Sequence, residues 1–299
     1  MIKEIRNFDG PLVTVLISTF NRRAFLPEAL KSIFCQDYHN LEVILTNDGG
    51  EDVSDIVAGF TDSRLIFIDR KENRGLPHSF NQALRLASGK YICYLGDDDL
   101  FYPDHISSLV EVLEHNPEYG AAYSDLFKVY CRVEPDGKRE VLSKVVEVSR
   151  DFDRFFMLFF NHSLHVSLMH RRDLIDKVGF YNEDLNVLID WDLTRRLFFH
   201  TDFYHLHKVT GEFYSPIGES DRISVQRRKD KKEYSRNVMT IRSTRIAKPW
   251  PKVEDLSIII DSDELIKDTG RMIGQIWTNM CYPYLLYIGL WENDVDKLE

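Results

Sequence analysis

Apolar and polar positions follow two rhythms in the first hundred residues, and the rhythms take turns. Residues 12–19 form a short run rich in β-branched side chains, the pattern of a strand buried on both faces. Leu26, Ala29, Leu30, Ile33 and Phe34 then recur at helical spacing. The same reading predicts strands over 41–46, 64–69 and 90–95, and helices over 51–60 and 78–87, the latter closed by Ser88-Gly89. Strand and helix alternating with short links predict an α/β fold, with a mostly parallel central sheet and helices on both faces. Ligands of such sheets bind beyond the carboxyl ends of the strands, which directs attention to residues 18–21, 47–49, 69–74 and 96–99.

The second half is less regular. Ile106, Leu109, Val110 and Leu113 predict a helix. Residues 121–130 and 140–148 flank Pro135-Asp136-Gly137 and predict a hairpin. A helix is expected over 152–160, a strand over 165–170, and a helix opened by Asp190. Pro249-Trp250-Pro251 reads as a linker between a domain of residues 1–248 and a C-terminal extension of 249–299, helical over 261–290 with a break at Pro283.

Composition narrows the class. With 43% hydrophobic and 29% charged residues, the chain is expected to be globular. Its net charge of -10 opposes a phosphate backbone, so nucleic acid is not an expected partner. Residues 222–248 are the exception, thick with Arg and Lys. Cys35, Cys93, Cys131 and Cys281 form no CxxC pair, which argues against a disulfide framework or a cysteine zinc cluster; Cys93 reads as a buried core thiol. The first ten residues, polar and mixed in charge, are expected to be neither a signal peptide nor a transit peptide, and no apolar run reaches the roughly 20 residues of a membrane span. A cytoplasmic protein, soluble or peripheral at the inner face of the plasma membrane, is the expectation.

Candidate chemistry centres on Asp97-Asp98-Asp99, directly after an apolar strand. Three adjacent carboxylates repel one another unless a cation or good donors compensate. Mn2+ or Mg2+ suits them, because these ions take carboxylate oxygens and keep positions for phosphate. Capping of the next helix is the plainer reading of the same residues.

Residues 13–50 (VTVLISTFNRRAFLPEALKSIFCQDYHNLEVILTNDGG), 73–106 (NRGLPHSFNQALRLASGKYICYLGDDDLFYPDHI) and 190–193 (DWDL) together resemble the family 2 inverting glycosyltransferases, which have the GT-A nucleotide-sugar-binding fold. The likeness covers roughly residues 11 to 200. It implies that Ser18, Phe20 and Asn21 contact a nucleotide, with the Phe20 ring against the base. Asp48 takes the place of the acid that accepts the base's ring N–H, followed by Gly49 in a tight turn. Arg74 and Asn81 fall beside the donor. Asp98 aligns with the main metal ligand, ahead of Asp97 and then Asp99, while Gly96 stands where the family usually has an acid.

Asp190 aligns with the catalytic base, although Ile189 replaces the usual Glu before it. Trp191 is a candidate to stack on an acceptor sugar, or a core residue. Arg222, Arg227 and Arg228 are candidates to close over the diphosphate, the alternatives being a solvated basic helix or a patch touching anionic lipid. His162, His165 and His170 show no spacing that singles out a metal pair.

The implied reaction transfers a sugar from a nucleotide-sugar donor, UDP-linked by preference, to a hydroxyl of a glycan or lipid-linked acceptor in surface polysaccharide assembly, with inversion. A nucleotidyltransferase, a glycoside hydrolase and an inactive nucleotide-sugar-binding homologue remain as rival readings. The apolar residues 281–291 suit packing on the core, homodimer formation or interfacial membrane contact.

Overall fold

Strand β1 (Val13–Thr19) buries Val13, Val15, Leu16 and Ile17, and β2 (Leu41–Asn47) buries Val43, Ile44 and Leu45. With both faces covered, these strands need no alternation of polar residues. The structure, a computed structural model, describes residues 10–134, 137–146, 148–154, 157, 161, 163–217, 231–243, 257–261 and 285–289. The chain forms two units, Met1–Asn237 and Val238–Glu299.

In the first unit, β1 pairs in parallel with β2 on one side and β4 (Tyr91–Gly96) on the other, and β2 pairs in parallel with β3 (Leu65–Asp69). Helices α1 (Leu26–Phe34), α2 (Ser54–Ala58) and α3 (Leu76–Leu86) connect these strands. Helix α1 shows why the pattern works: Leu26, Ala29, Leu30 and Ile33 lie on one buried face, and a proline in the first turn presets the helical φ. Four carboxyl ends therefore meet at one edge of the sheet.

The sheet continues β3-β2-β1-β4-β8-β6-β9-β5, with β7 paired to β6. These later elements are β5 (Leu100–Phe101), α4 (His105–His115), β6 (Tyr119–Val133), β7 (Arg139–Val145), β8 (Leu168–Arg171), α5 (Asp173–Val178), α6 (Ile189–Leu197) and β9 (Asp202–Pro216). Strand β8 is antiparallel to β4 and β6, whereas β6 and β9 run parallel with register shifts between Ser124 and Phe127. Helix α7 (Lys231–Ser243) follows. No helix among the described residues is long and apolar enough to cross a membrane.

The structure departs from the pattern in three places. Helix α2 is shorter than 51–60, because Asp52 Oδ1 accepts the Ser54 amide and hydroxyl and holds the preceding residues in a turn. The strand expected from residue 165 starts at Leu168; His165–Ser167 is a 3₁₀ turn in which Ser167 Oγ donates to the Leu164 carbonyl, competing with a ladder. In the second unit, Ser257–Asp261 and Leu285–Gly289 are strands, β10 and β11, paired in parallel. That corrects the helix expected at 285–289, where aliphatic and aromatic residues favour a strand. Most of 152–160, the turn residues Pro135 and Asp136, and the remainder of 249–299 lie outside the described residues.

Candidate active site

Four strand ends build the site. After β1, Asn21 adopts a left-handed backbone (φ 55°), and its Oδ1 accepts the Glu51 amide at 2.9 Å. Asn tolerates that conformation better than most residues. The turn leaves Phe20 42% exposed, so the Phe20 ring is not core. Ser18 lies half-buried opposite Thr46 and Gly96.

After β2, Gly49 sits at φ 70°, where a Cβ would come within 2.3 Å of the Glu72 carbonyl carbon. Only glycine fits both the conformation and the approach. Asn47 binds Asp69 Oδ1 through its side-chain amide at 2.9 Å. Asp48 is buried and held from three directions. Arg70 Nη1 donates to Oδ1 at 2.8 Å, the Arg74 amide to Oδ1 at 3.1 Å, and the Gly75 amide to Oδ2 at 2.8 Å. Arg70 is itself fixed by Gln82 Oε1, the His78 carbonyl and Ser79 Oγ. A carboxylate offers about four acceptor positions, so Asp48 keeps room for one further donor. Arg74 contributes its backbone to this arrangement, and its side chain is exposed.

After β4, the three acids separate. Asp97, Asp98 and Asp99 are 7%, 8% and 5% exposed, so charge here needs partners. Arg22 Nη1 lies 2.5 Å from Asp98 Oδ2 and 3.7 Å from Asp97 Oδ1. Asp99 Oδ1 accepts the Tyr214 amide of β9 at 2.9 Å. A Cβ on Gly96 would lie 2.5 Å from Asp99 Oδ2 and 3.2 Å from Asp98 Oδ1. The missing acid at Gly96 thus has a steric reason: neighbouring carboxylates fill its space. Two buried carboxylates facing one cationic position fit a divalent ion, and Asp98 and Asp97 are the residues that would hold it.

The second half closes this end. Arg139 of β7 donates to the Asp98 carbonyl at 2.6 Å, and its guanidinium carbon lies 3.6 Å from the Tyr214 ring centroid. Tyr214 Oη donates to Glu212 Oε2 at 2.8 Å and Tyr102 Oη to Oε1 at 2.7 Å, with Lys144 bonding Oε1 as well. Burial opposes the Glu212 charge, but the bonds from Lys144, Tyr102 and Tyr214 outweigh it and hold the carboxyl below its usual range.

Asp190 lies in the first turn of α6, which Leu188 enters with a left-handed φ of 62°. Asn161 Nδ2 donates to Asp190 Oδ2 at 2.9 Å. Tyr181 Oη lies 2.7 Å from His165 Nε2, and burial, followed by the nearby Tyr94 and Asp190, pushes the Tyr181 hydroxyl well above the usual tyrosine range. His165 stacks on Tyr94 with centroids 4.0 Å apart, and Tyr94 Oη is 2.8 Å from His170 Nε2. Burial pulls His165 down to about 3 and His170 to about 4, so both imidazoles are neutral near pH 7.

Two expected ligand contacts become structural ones. Trp191 is buried, with its indole N–H donating to the Met157 carbonyl at 2.9 Å, so it packs as core and offers no open face to an acceptor. Asn81 is buried and binds the Tyr181 amide and carbonyl at 2.8 and 3.0 Å and Glu183 Oε1 at 2.8 Å, tying α3 to the segment before α6 rather than reaching a donor. Arg222, Arg227, Arg228 and His162 lie outside the described residues. Arg70 sits in a window the strand pattern marked, and Arg22 follows the first strand end directly. Arg139, Glu212, Tyr214 and Asn161 gave no sequence signal.

Residues 14–170 match the sequence profile described as glycosyl transferase family 2. A protein of Rickettsia prowazekii, named as an uncharacterized glycosyltransferase, is 28% identical over 68% of this chain, a region spanning 64% of that protein. Among solved structures, S. aureus TarS in complex with UDP-GlcNAc superposes with a TM-score of 0.56 at 16% identity, over 71% of this chain and 60% of that one. A mannosyltransferase of Pyrobaculum calidifontis, in complex with GDP-Man and Mn2+, gives 0.52 at 23% identity, over 68% and 57%. These two show a shared GT-A fold. With a profile match over half its length, and with that fold, the chain belongs to glycosyl transferase family 2.

Proposed function

We propose that this chain transfers a sugar from a nucleoside diphosphate, with UDP favoured, to a hydroxyl of a glycan or lipid-linked acceptor, inverting the anomeric carbon. The observation that carries this reading is the pair of buried carboxylates, Asp97 and Asp98, converging on one cationic position at the strand ends. Strands β2 and β4 flank β1, so Asp48 and the acid run stand one strand away on either side of Ser18–Asn21. The remaining acceptor position of Asp48 suits the ring N–H of a uracil, and the exposed Phe20 ring offers a face to the base. The nucleotide-sugar complexes of TarS and the mannosyltransferase support the donor class.

Asp98 and Asp97 would hold Mn2+ or Mg2+, which when bound would supply positive charge to a departing diphosphate. Arg22 stays within reach of the same region and turns from the carboxylates to the phosphates. Arg222, Arg227 and Arg228 are proposed to add to that clamp. Asp190, oriented by Asn161, takes the proton from the acceptor hydroxyl, whose oxygen attacks from the face opposite the nucleotide. Residues 1–248 are proposed as the catalytic domain, and 249–299 as an extension for membrane or subunit contact. A lipid-linked acceptor for surface polysaccharide would bring the protein to the cytoplasmic face of the membrane.

The test is transfer by the purified full chain from a panel of UDP- and GDP-sugars with Mn2+, with product anomers read by NMR. Asp190→Asn should lower kcat by about 10²- to 10⁴-fold with donor KM nearly unchanged. Transfer at the wild-type rate would remove Asp190 from the mechanism.

A further inference from the structure

Alternation along β9 puts His205 and His207 on one face, and alternation along β6 does the same for Tyr123 and Asp125. The strands pair with Tyr123 opposite His205, and the two rings stack with centroids 4.8 Å apart. One ligand atom from each of Asp125, His205 and His207 lies within 4.8 Å of the others. Asp151 enters from outside the sheet. Its Oδ1 is 2.9 Å from His205 Nδ1 and 2.8 Å from His207 Nε2. The segment carrying it is fastened to β6, because Ser149 Oγ donates to Asp125 Oδ2 at 3.0 Å and Tyr123 Oη to the Arg150 carbonyl.

His205 carries the argument. It is 8% exposed, and both its nitrogens face carboxylate oxygens at 2.9 Å: Nε2 meets Asp125 Oδ1 and Nδ1 meets Asp151 Oδ1. A neutral imidazole has one N–H, so one of these contacts needs a positive charge, which either a second ring proton or a metal ion in its place supplies. A histidine bound to a metal through one nitrogen, with the other nitrogen donating to a carboxylate, meets that need and fixes the tautomer.

We infer that His205 Nδ1, His207 Nε2 and the Asp151 carboxylate form a metal site of the zinc class, separate from the acid run at β4, with Asp125 behind it accepting the proton of His205 Nε2. Two imidazoles and two carboxylates balance a divalent charge, and imidazole nitrogen selects zinc-like ions over magnesium. Tetrahedral ligands about 2.0–2.1 Å from zinc stand about 3.3 Å apart, so the present 2.9 and 2.8 Å contacts of Asp151 with His205 and His207 must open by about half an ångström. Asp151 and His207 are exposed and free to supply that movement by side-chain rotation. The site stands well apart from the acid run. Tyr214, which holds Asp99, lies opposite Val129, six residues beyond Tyr123 on β6, or roughly 20 Å at a strand's rise per residue. Metal bound here clasps residues 149–151 to the sheet.

The test uses the full chain stripped with chelator, titrated with Zn2+ by calorimetry and with Co2+ by visible absorption, in the wild type, His207→Ala and Asp98→Asn. His207 is exposed, so its removal leaves the core intact. Wild type and Asp98→Asn should take up one Zn2+ with similar affinity and gain in Tm, while His207→Ala should bind at least about tenfold more weakly. Uptake lost in Asp98→Asn but kept in His207→Ala would overturn the assignment, as would a wild type that neither binds Zn2+ nor shows tetrahedral Co2+ absorption. The outcome is independent of whether sugar transfer is found.

Discussion

Gly96→Ala isolates the crowding at the acid run. The backbone at Gly96 is one that any residue adopts, so the substitution adds only a methyl group. That methyl would stand 2.5 Å from Asp99 Oδ2, and ordinary contact requires the carboxylate to retreat by about 1 Å. Asp99 is buried and its other oxygen, Oδ1, accepts the Tyr214 amide at 2.9 Å, so a retreat of the whole carboxylate by that distance carries Oδ1 out of hydrogen-bond range and strands a backbone donor. Such a loss costs about 1–3 kcal/mol. Reduced freedom of the unfolded chain returns about 0.4–1 kcal/mol. A net destabilisation of about 1–2 kcal/mol follows. Urea unfolding measures it in Gly96→Ala, in Asp99→Ala and in the double variant. Without the Asp99 carboxylate the methyl has space, so the same change should cost under about 0.5 kcal/mol in that background. A Gly96→Ala protein as stable as the wild type, or an undiminished cost beside Asp99→Ala, would refute the steric account.

Arg70→Met should destabilise by about 3–5 kcal/mol, since it leaves the buried Asp48 carboxylate without its cation, and should weaken nucleotide binding in calorimetry; Arg70→Lys should recover only part, because one ammonium cannot reach Gln82, His78 and Ser79 together. Burial lowers the His105, His165 and His170 pKa values to about 3, 3 and 4, so the unfolded chain binds more protons below the ordinary value of 6.5; stability held above that pH should fall as pH drops, by about 2 kcal/mol per histidine at pH 5. Chemical unfolding from pH 7.5 to 5 checks this, and His105→Asn should flatten the slope.

The α/β core was legible because strands covered on both faces carry uninterrupted apolar runs, as Val13–Thr19 and Tyr91–Gly96 do. The placing of Asp48, Asp97 and Asp98 at the strand ends was legible for a related reason: each closely follows such a run, although the sequence left helix capping open as a use for the acid run. The limits of sequence are as specific. Tyr214 is 115 residues from Asp99, and Arg139 is 41 from Asp98, so only strand pairing brings them together. Trp191 and Asn81 carry the right chemistry for a ligand and spend it on Met157, Tyr181 and Glu183. Residue type alone does not distinguish those uses. The helix expected over 261–290 failed at Leu285–Gly289, because an apolar run that short reads equally well as a strand.

The parallel pairing of β6 with β9 sets a clock on biosynthesis. Asp48 finds Arg70, Arg74 and Gly75 within 27 residues, so the nucleotide end can assemble while most of the chain is still on the ribosome. Asp99 must wait until Tyr214 has emerged, and parallel pairing across such a span is slow. During that interval three neighbouring aspartates lack their final surroundings, and Arg22, already synthesised, is the counter-charge at hand. A nascent chain cut short before β9 would therefore carry the framework for a base, but with its acid run still open.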